Sequence, residues 1–401
     1  MRTSATNEIT VSRRIIKIAI LAIALGMVMM LIAIGTSLGL QKEIKAKTTA
    51  LSGDIRIAPF ENNNSSLSVT PIDTTEMNFS SWVNRSKIDH FYTFINKGTL
   101  LKKGKEFEGA IVKGVDSAFP WEKLKTYLIA GVFPKFDSTV SKEILLSQTL
   151  ARQLKLNLGD RVTAHFEGKK EGSLPMKRYW TVVGIYQTGF PDFDNNFVFA
   201  DLRQLQKLNH WRKEQIGGVE LFVTDKNNLK NDAHLIYNSL PPHIDVQTVD
   251  QIHQSVFDWI ALFDFNVLII LIIMILVGTL NMATALLVLI LERSRMIGIL
   301  KAIGTTNNQI QRIFLLNAAY IISHGLFWGN TVGLMVLFFQ NKWGWISLDP
   351  ATYFVSILPI HLPLLTVVGL NVLVLLICLS ILWIPSLIVS RVDPAQVLRF
   401  R

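Results

Sequence analysis

Four long apolar segments constrain what this chain of 401 residues can fold into. Each is longer than the about 20 residues that a helix needs to cross the hydrocarbon core of a bilayer. The first follows two arginines, and it is longer than the apolar core of a cleavable signal peptide, which has about 7–15 residues. We therefore predict a membrane α-helical protein with four transmembrane helices, at 15–40, 260–291, 313–339 and 362–389.

Charge is scarce in this sequence, and basic residues cluster beside the apolar segments, at 13–17, 293–301 and 391–401. Charged residues make up 17% of the chain, below the about 25% that is usual in soluble domains. The net charge of +10 therefore indicates membrane topology and not nucleic-acid binding. The loop 292–312 holds four basic residues and one acidic residue, whereas the loop 340–361 holds one of each. Because basic loops stay in the cytoplasm, we predict cytoplasmic ends at 1–14 and 390–401 and an extracytoplasmic segment at 41–258.

The 41–258 segment combines strand-like and helix-like patterns. Helical patterns cover 142–154 and 229–240, and short runs rich in β-branched and aromatic residues recur between them. A segment of this length can bury one or two cores. We predict a large α+β extracytoplasmic domain between helices 1 and 2. Its predicted strands are 54–58, 107–113, 161–166, 179–186, 196–200, 219–224 and 244–248.

The sequence 292–304, ERSRMIGILKAIG, lies between the second and third apolar segments. On a helical wheel its apolar side chains fall within one arc. Thr306 and Gln309 have the spacing of a capping box, which predicts that the next helix begins there. Either the short helix lies on the membrane surface, or it is a docking surface for a partner protein on the cytoplasmic side. The arc consists of Met296, Ile297, Ile299, Leu300, Ile303 and Gly304.

The apolar segments contain features that bear on how the helices pack. Gly325, Gly329 and Gly333 recur every four residues, which is the small-residue spacing of close helix packing. The second segment, about 48 Å long as a helix, exceeds a hydrocarbon core of about 30 Å and predicts a stalk beyond the membrane. Polar side chains inside the spans are interpreted as hydrogen-bond partners within the bundle, with a proton or ion path as the alternative. They are Asn281, Asn317, His324, Asn330 and Asn371.

Sequence motifs for catalysis and nucleotide binding are missing from the chain. It contains no G-x-x-x-x-G-K-[ST] loop and no H-E-x-x-H sequence. The stretch 35–39, GTSLG, matches the nucleophile motif G-x-S-x-G, but that motif requires a strand-to-helix turn, so we interpret it as a chance match. The single cysteine, Cys378, forms no disulfide framework or metal site. We predict a chain without enzymatic activity, metal or cofactor, which draws energy from a partner or a gradient.

Several stretches resemble one family of membrane proteins. The stretch 292–314, with its IGILKAIG core, and the tail 392–399, VDPAQVLR, resemble FtsX-like permeases. In the predicted outer domain, GVD at 114–116 and the stretches 143–162 and 179–202 resemble lipoprotein-releasing, Lol-type permeases. The chain as a whole is similar to the MacB-type ABC transporter permeases, of which the Lol type is a branch.

This resemblance implies a permease subunit of a mechanotransmission ABC transporter in the bacterial inner membrane. It implies a dimer of separate ATPase subunits, which would bind ATP and Mg, and a second permease chain, the same or homologous. The cargo would be a lipoprotein, extracted from membrane lipids for a periplasmic carrier. The outer domain would have a porter-like part, 45–112 with 217–255, and an inserted part, 113–216. One permease type docks the carrier through a hairpin that corresponds to 166–179, which is short and rich in Lys and Gly here.

The resemblance and the chemistry of the cargo together give two sets of candidate site residues. The implied ATPase contact consists of Glu292, Arg293, Met296, Ile297, Leu300, Lys301 and Gly304. An acyl chain needs an apolar entry at the outer leaflet, since each buried methylene is worth about 0.8 kcal/mol. The candidate acyl-chain gate, at the outer ends of the first two spans, consists of Ile34, Leu38, Leu40, Phe257, Ile260, Phe263 and Phe265.

Two alternative functions stay open at this stage. The first is an exporter of antibiotics, small amphiphiles or peptides, which resembles macrolide-exporter permeases. Those permeases usually carry their ATPase on the same chain, and this chain has none. The second is a regulator of periplasmic hydrolases in the manner of FtsX itself, whose outer domain is typically smaller than the one predicted here.

Overall fold

The computed structural model describes residues 2–63, 67–77, 88–137, 139–168 and 174–387. The chain divides into two units. The helical unit comprises the described parts of 1–42, 259–347 and 357–401, and the sheet unit comprises those of 43–258 and 348–356. The tail motif at 392–399 and part of the 166–179 hairpin lie outside the described residues.

The four predicted transmembrane helices are present, and each is long and apolar enough to cross a membrane. They are α1 (Arg2–Ser52), α7 (Gln254–Glu292), α9 (Asn307–Trp343) and α11 (Leu364–Ser386). The first three extend beyond the predicted bounds because polar sequence beyond the apolar cores continues as helix, whereas α11 begins two residues later than predicted, after Pro363. α9, for example, ends at Gly344, whose φ of 59° is left-handed and suits a glycine cap. A fifth, short helix, α8 (Ser294–Ala302), links α7 to α9.

The glycine row of α9 packs against α1, which confirms the predicted close packing. A Cβ added at Gly329 would lie 2.6 Å from Met27 Cβ, and one added at Gly325 would lie 2.7 Å from Ile23 Cγ2. A Cβ at Gly333 would lie 2.8 Å from a Leu31 methyl. Only glycine permits this approach of the two helices.

The polar side chains inside the helical unit bond mostly to carbonyls of their own helix or to a side chain of a neighbouring helix. The amides of Asn330 and Asn371 bond to each other, at 2.6 and 3.1 Å. Asn317 donates to a carbonyl of its own helix, and His324 Nδ1 lies 3.1 Å from the carbonyl of Tyr320. The pair in α9 and α11 therefore matches the predicted bonding within the bundle. Asn281 is exposed on α7.

The sheet unit contains one ten-stranded sheet with short helices. Its helices are α2 (Gln148–Gln153), α3 (Pro191–Asp194), α4 (Leu202–Asn209), α5 (Leu229–Tyr237), α6 (Val249–Ile252) and α10 (Pro350–Tyr353). The strands are β1 (Ile55–Pro59), β2 (Ile72–Asp73), β3 (Ile88–Lys103), β4 (Glu106–Val115), β5 (Leu128–Gly131), β6 (Glu143–Ser147), β7 (Arg161–Phe166), β8 (Met176–Tyr186), β9 (Phe197–Asp201), β10 (Gln215–Ile216), β11 (Gly218–Val223) and β12 (Ile244–Thr248).

The strand order of the large sheet is β12-β1-β11-β3-β4-β9-β6-β8-β5, while β2 and β10 pair separately. Because β7 pairs with both β3 and β8, the strands β3, β4, β9, β6, β8 and β7 form a closed ring. The ring encloses buried apolar side chains, among them Trp180 and Phe166. The predicted boundary between the porter-like part and the inserted part, at 112/113, falls inside β4. That division stays a prediction.

The predicted helix at 142–154 is wrong in its first half. Residues Glu143–Ser147 form β6, between β8 and β9, and only Gln148–Gln153 is helical. The Ser147 side chain caps this helix by accepting from the Leu150 amide. An apolar run such as EILL suits a buried strand as well as a helix, and strand pairing decides between them.

A segment between α9 and α11 also belongs to the sheet unit. Residues 348–356 group with 43–258 and not with the long helices. Phe354 stacks on Phe190 with ring centroids 4.5 Å apart, and its carbonyl accepts a hydrogen bond of 2.9 Å from Lys47. The predicted 340–361 loop therefore contributes a piece to the extracytoplasmic domain.

Candidate functional site

The helix α8 occupies the centre of the predicted 292–304 element. It ends where Gly304 adopts a left-handed φ of 98°, a conformation that favours glycine. The Thr306 hydroxyl accepts from the Gln309 amide, and the Gln309 side chain accepts from the Thr306 amide. The predicted capping box is thus confirmed, and the turn between α8 and α9 is fixed by local chemistry.

The apolar arc of this helix does not form one exposed face. Ile297 is fully buried in the core of the helical unit, and Leu300 is half-buried against the same core. By contrast, Met296, Ile299 and Ile303 are 40%, 45% and 77% exposed. We name these three residues the α8 patch. The wheel had grouped both sets together because it could not show which side the other helices cover.

The predicted ATPase-contact residues therefore differ in solvent exposure. Glu292, Arg293, Met296 and Gly304 are exposed, whereas Lys301 is half-buried. Ile297 cannot contact a partner without leaving the core of the helical unit. The accessible apolar surface of the element is the α8 patch, two of whose members, Ile299 and Ile303, were missing from the predicted contact set. The contact itself stays a prediction.

The candidate gate residues also differ in accessibility. Ile34, Leu40 and Ile260 are buried, Leu38, Phe257 and Phe263 are half-buried, and Phe265 is 60% exposed. Within the helical unit, Gln41 Nε2 donates a hydrogen bond of 2.6 Å to Asp264 Oδ1, which joins α1 to α7 in this region. Of the seven predicted residues, Phe265 is the one that presents a largely open apolar surface.

Phe265 belongs to a longer exposed row on α7, which the gate prediction missed. Its members recur at intervals of three or four residues, so they lie on one face of the helix. We name this row the α7 stripe. It consists of Leu262, Phe265, Ile269, Ile272, Leu276 and Leu280, which are between 39% and 60% exposed.

Sequence reasoning missed a buried charged cluster in the sheet unit. Arg56, Lys113 and Glu220 come from three separate strands, so no local motif could have shown that they meet. Lys113 and Glu220 are 2% and 3% exposed. Within the described part of the chain, no group of three or more His, Cys, Asp or Glu residues is arranged to hold a metal.

Two family models match this chain. The FtsX-like permease C-terminal model matches residues 268–394, which include α8, α9 and α11. The MacB-like periplasmic core domain model matches residues 18–252, which is more than half of the chain. The resemblance to FtsX-like and MacB-type permeases drawn from the motifs is therefore confirmed.

Curated relatives match over nearly the whole chain. The lipoprotein-releasing system transmembrane protein LolC of Neisseria meningitidis serogroup B is 25% identical, over 96% of this chain and 93% of the relative. The lipoprotein-releasing system transmembrane protein LolE of Haemophilus influenzae is 22% identical, over 96% of this chain and 94% of the relative.

Among solved structures, the periplasmic region of MacB from Actinobacillus actinomycetemcomitans overlaps 50% of this chain and 91% of that structure. Its TM-score is 0.36 at 13% identity, too low to support an argument. The assignment rests on the family models, whose two matches cover the sheet unit and the long helices. This chain belongs to the family of membrane permeases that combine a MacB-like periplasmic core domain with an FtsX-like C-terminal part.

Proposed function

We propose that this chain is the permease subunit of an ABC transporter that extracts lipoproteins from the bacterial inner membrane for a periplasmic carrier. The observation that carries this proposal is the end-to-end similarity to LolC, which spans 96% of the chain. The match includes the sheet unit, the α8 region and the long helices alike. An antibiotic exporter and a regulator of wall hydrolases fit less well, because curated relatives of this length are named as lipoprotein-releasing proteins.

We propose that a separate ATPase docks on the α8 patch. The sequence has no P-loop of its own, so ATP and Mg would be bound by the partner and the permease itself would be non-catalytic. Burying exposed apolar surface gains about 25 cal/mol per Å², and the patch offers three large side chains beside exposed Arg293 and Arg295. These arginines could pair with carboxylates of the partner.

Substitutions in the α8 patch test this docking. Ile299→Ser and Ile303→Ser should reduce the amount of ATPase that co-purifies with the permease at least several-fold, because each removes an exposed apolar contact. Leu174→Ser is the matched control, since Leu174 is 90% exposed in the sheet unit. Equal ATPase recovery with all three variants would contradict docking at this patch. Ile297→Asp is not informative, because a charge in the buried core would damage the fold.

The α7 stripe is proposed to face lipid and a second permease chain. Only 6% of the apolar window of α7 is buried within this chain, against 39% for α9. Pairs of single cysteines at Leu276 or Leu280, one per permease chain, should crosslink in membranes if a second chain lies there. Cysteine at Ile322, which is fully buried in the helical unit, is the control that should not crosslink.

Orientation in the inner membrane is proposed with both termini in the cytoplasm, as the charge pattern predicts. Reporter fusions at Asn228, in the sheet unit, and at Asn307, at the start of α9, should then report opposite sides of the membrane. Reporters on one side only would overturn the topology, and the docking of a cytoplasmic ATPase with it.

Reconstitution tests the cargo. In proteoliposomes that contain the permease and its ATPase, an acylated lipoprotein should be released on ATP hydrolysis, and the same protein without acyl chains should not be transported. A photocrosslinker at Phe265 should capture the acylated form before ATP is added, whereas one at buried Ile34 should capture little. ATPase stimulation by a small amphiphile, without release of lipoprotein, would favour the exporter.

A further inference from the structure

One face of the sheet unit collects polar side chains from four neighbouring strands. Arg56 on β1 lies opposite Glu220 on β11, and Glu220 lies opposite Tyr92 on β3. Asn96, four residues after Tyr92 and on the same face of β3, lies opposite Lys113 on β4. Side chains directly opposite each other, or two residues apart on one strand, share a face. These five residues therefore form one polar group on the sheet.

Three members of this polar group form hydrogen bonds with one another. Lys113 Nζ donates to both carboxylate oxygens of Glu220, at 2.7 and 3.0 Å, and to the Leu51 carbonyl at 2.8 Å. The Tyr92 hydroxyl also donates to the Glu220 carboxylate. One lysine and one glutamate thus neutralise each other inside the protein. Arg56, whose guanidinium stays protonated at any physiological pH, is left as a surplus positive charge.

The guanidinium of Arg56 lacks part of its hydrogen bonding. Arg56 Nε and Nη2 are buried without a hydrogen-bond partner among the described residues, and its Cζ lies 5.2 Å from the centre of the Phe94 ring. The side-chain oxygen of Asn96 is also buried and unpaired. In the described part of the chain, buried polar atoms of this kind number four, and three of them belong to these two residues. Such atoms are costly unless a ligand or water completes them.

Arg56 and Asn96 line the same cavity, whose volume is about 310 Å³. Lys113, Glu220, Ser52 and His253 line it as well. Burial first, and then the charges of Lys113 and Arg56, lower the pKa of His253 to about 4, so this ring is neutral near pH 7. Asp192 also lines the cavity, but it is exposed and solvent screens its charge. Apart from exposed Asp192, the charged residues of the lining, with half-buried Arg56 among them, therefore carry one net positive charge.

We propose that this cavity binds a small oxyanion, a phosphate or carboxylate group, through Arg56 and Asn96. A guanidinium matches the planar fork of a carboxylate or the edge of a phosphate. The volume corresponds to about ten waters at about 30 Å³ each, which suffices for such an ion with part of its hydration shell. The Asn96 amide can turn its NH₂ group toward the anion. This site does not rest on the proposed transport function.

The test uses the purified full-length chain in detergent and inorganic phosphate as the probe. The melting temperature should rise by a few degrees as phosphate replaces chloride at constant ionic strength, because a ligand that binds only the folded state stabilises it. Sodium acetate forms the second arm and distinguishes a carboxylate-selective site from a phosphate-selective one. No rise with either anion would overturn the proposal.

Three variants localise the effect. Arg56→Gln should abolish the rise, whereas Arg161→Gln, at an exposed position on β7, should retain it. Asn96→Asp places a carboxylate in the same cavity as the guanidinium, so it should abolish the response while keeping the chain folded without phosphate. Asn96→Asp decides the outcome if Arg56→Gln fails to fold. A response that persists in Asn96→Asp would mean that the anion binds elsewhere and would reject this site.

Discussion

The two units of this chain bury polar groups in different ways. The sheet unit encloses an ion pair, Lys113 with Glu220, whose partners come from strands far apart in the sequence. In the helical unit, the buried polar residues that the structure describes are uncharged, such as Gln41 and Thr279. A charged group is costly inside a lipid-inserted helix bundle. The comparison suggests that a buried pair of opposite charges stabilises the sheet unit, whereas hydrogen bonds of buried uncharged side chains and close packing stabilise the helical unit.

Removing one partner of the buried ion pair should produce the largest effect. Lys113→Met removes the lysine that bonds both carboxylate oxygens of buried Glu220, and we expect a loss of about 3–5 kcal/mol in the free energy of unfolding. Denaturant titration of the full-length chain, followed by tryptophan fluorescence, measures this. The double variant Lys113→Met with Glu220→Leu should recover most of the loss, since it removes both charges. A loss below about 1 kcal/mol in the single variant would remove the proposed contrast between the units.

Acidification should weaken the sheet unit through His253. Because the pKa of His253 is lowered from 6.5 to about 4, the unfolded chain binds a proton that the folded chain does not bind between these values. The stability is therefore full above about pH 6.5 and falls as the pH drops toward 4, by up to about 3 kcal/mol. In His253→Gln this part of the pH dependence should vanish. Identical pH profiles for the two proteins would show that the ring does not titrate in this window.

A methyl group added between α1 and α9 should destabilise the helical unit by about 1–3 kcal/mol. In Gly329→Ala the new Cβ would lie 2.6 Å from Met27 Cβ and 2.7 Å from the Ala24 carbonyl oxygen. Gly369→Ala on α11 is the control, because nothing lies within 4 Å of its new Cβ. Thermal unfolding in detergent should separate the two variants. Equal melting temperatures would mean that the glycine row is not a packing seam.

The amide pair of the helical unit should have the smallest effect. Asn330→Leu and Asn371→Leu each remove one partner, and we expect a coupling energy of about 0.6–1.7 kcal/mol in a double-mutant cycle. This is smaller than the effect for the ion pair, because the amides also bond to carbonyls of their own helices. Strictly additive losses would show that the two amides do not stabilise each other.

The sequence predicted the parts of this fold that are set by local pattern. The four long helices, the capping box at Thr306, and the strands β7 and β12 follow from period and spacing alone. The strand β3, the longest of the sheet unit, was missed, because Asn96, Lys97 and Gly98 interrupt its apolar pattern. It pairs with β4, which follows it directly, and with β7 and β11, which lie much farther along the chain, so the assembled sheet is needed to reveal its full length.

The candidate sites were predictable only in part, for a related reason. The wheel of 292–304 identified an apolar arc, but it could not show that Ile297 faces the core while Ile303 remains exposed. The cavity beside Arg56 was invisible in the sequence, because its lining comes from widely separated segments. A helical wheel and a motif read neighbours along the chain, whereas both sites depend on neighbours in space.

The membership of residues 348–356 in the sheet unit has a consequence for the synthesis of the protein. The ribosome makes this segment only after α9, although Phe190 and Lys47, which it contacts, were made long before. The sheet unit therefore stays unfinished until the third long helix has been translated. A chain that stops within α9 would expose Phe190 and leave a hydrogen bond of Lys47 unmade. Completion of the sheet unit thus distinguishes a full-length permease from a truncated one during its biogenesis.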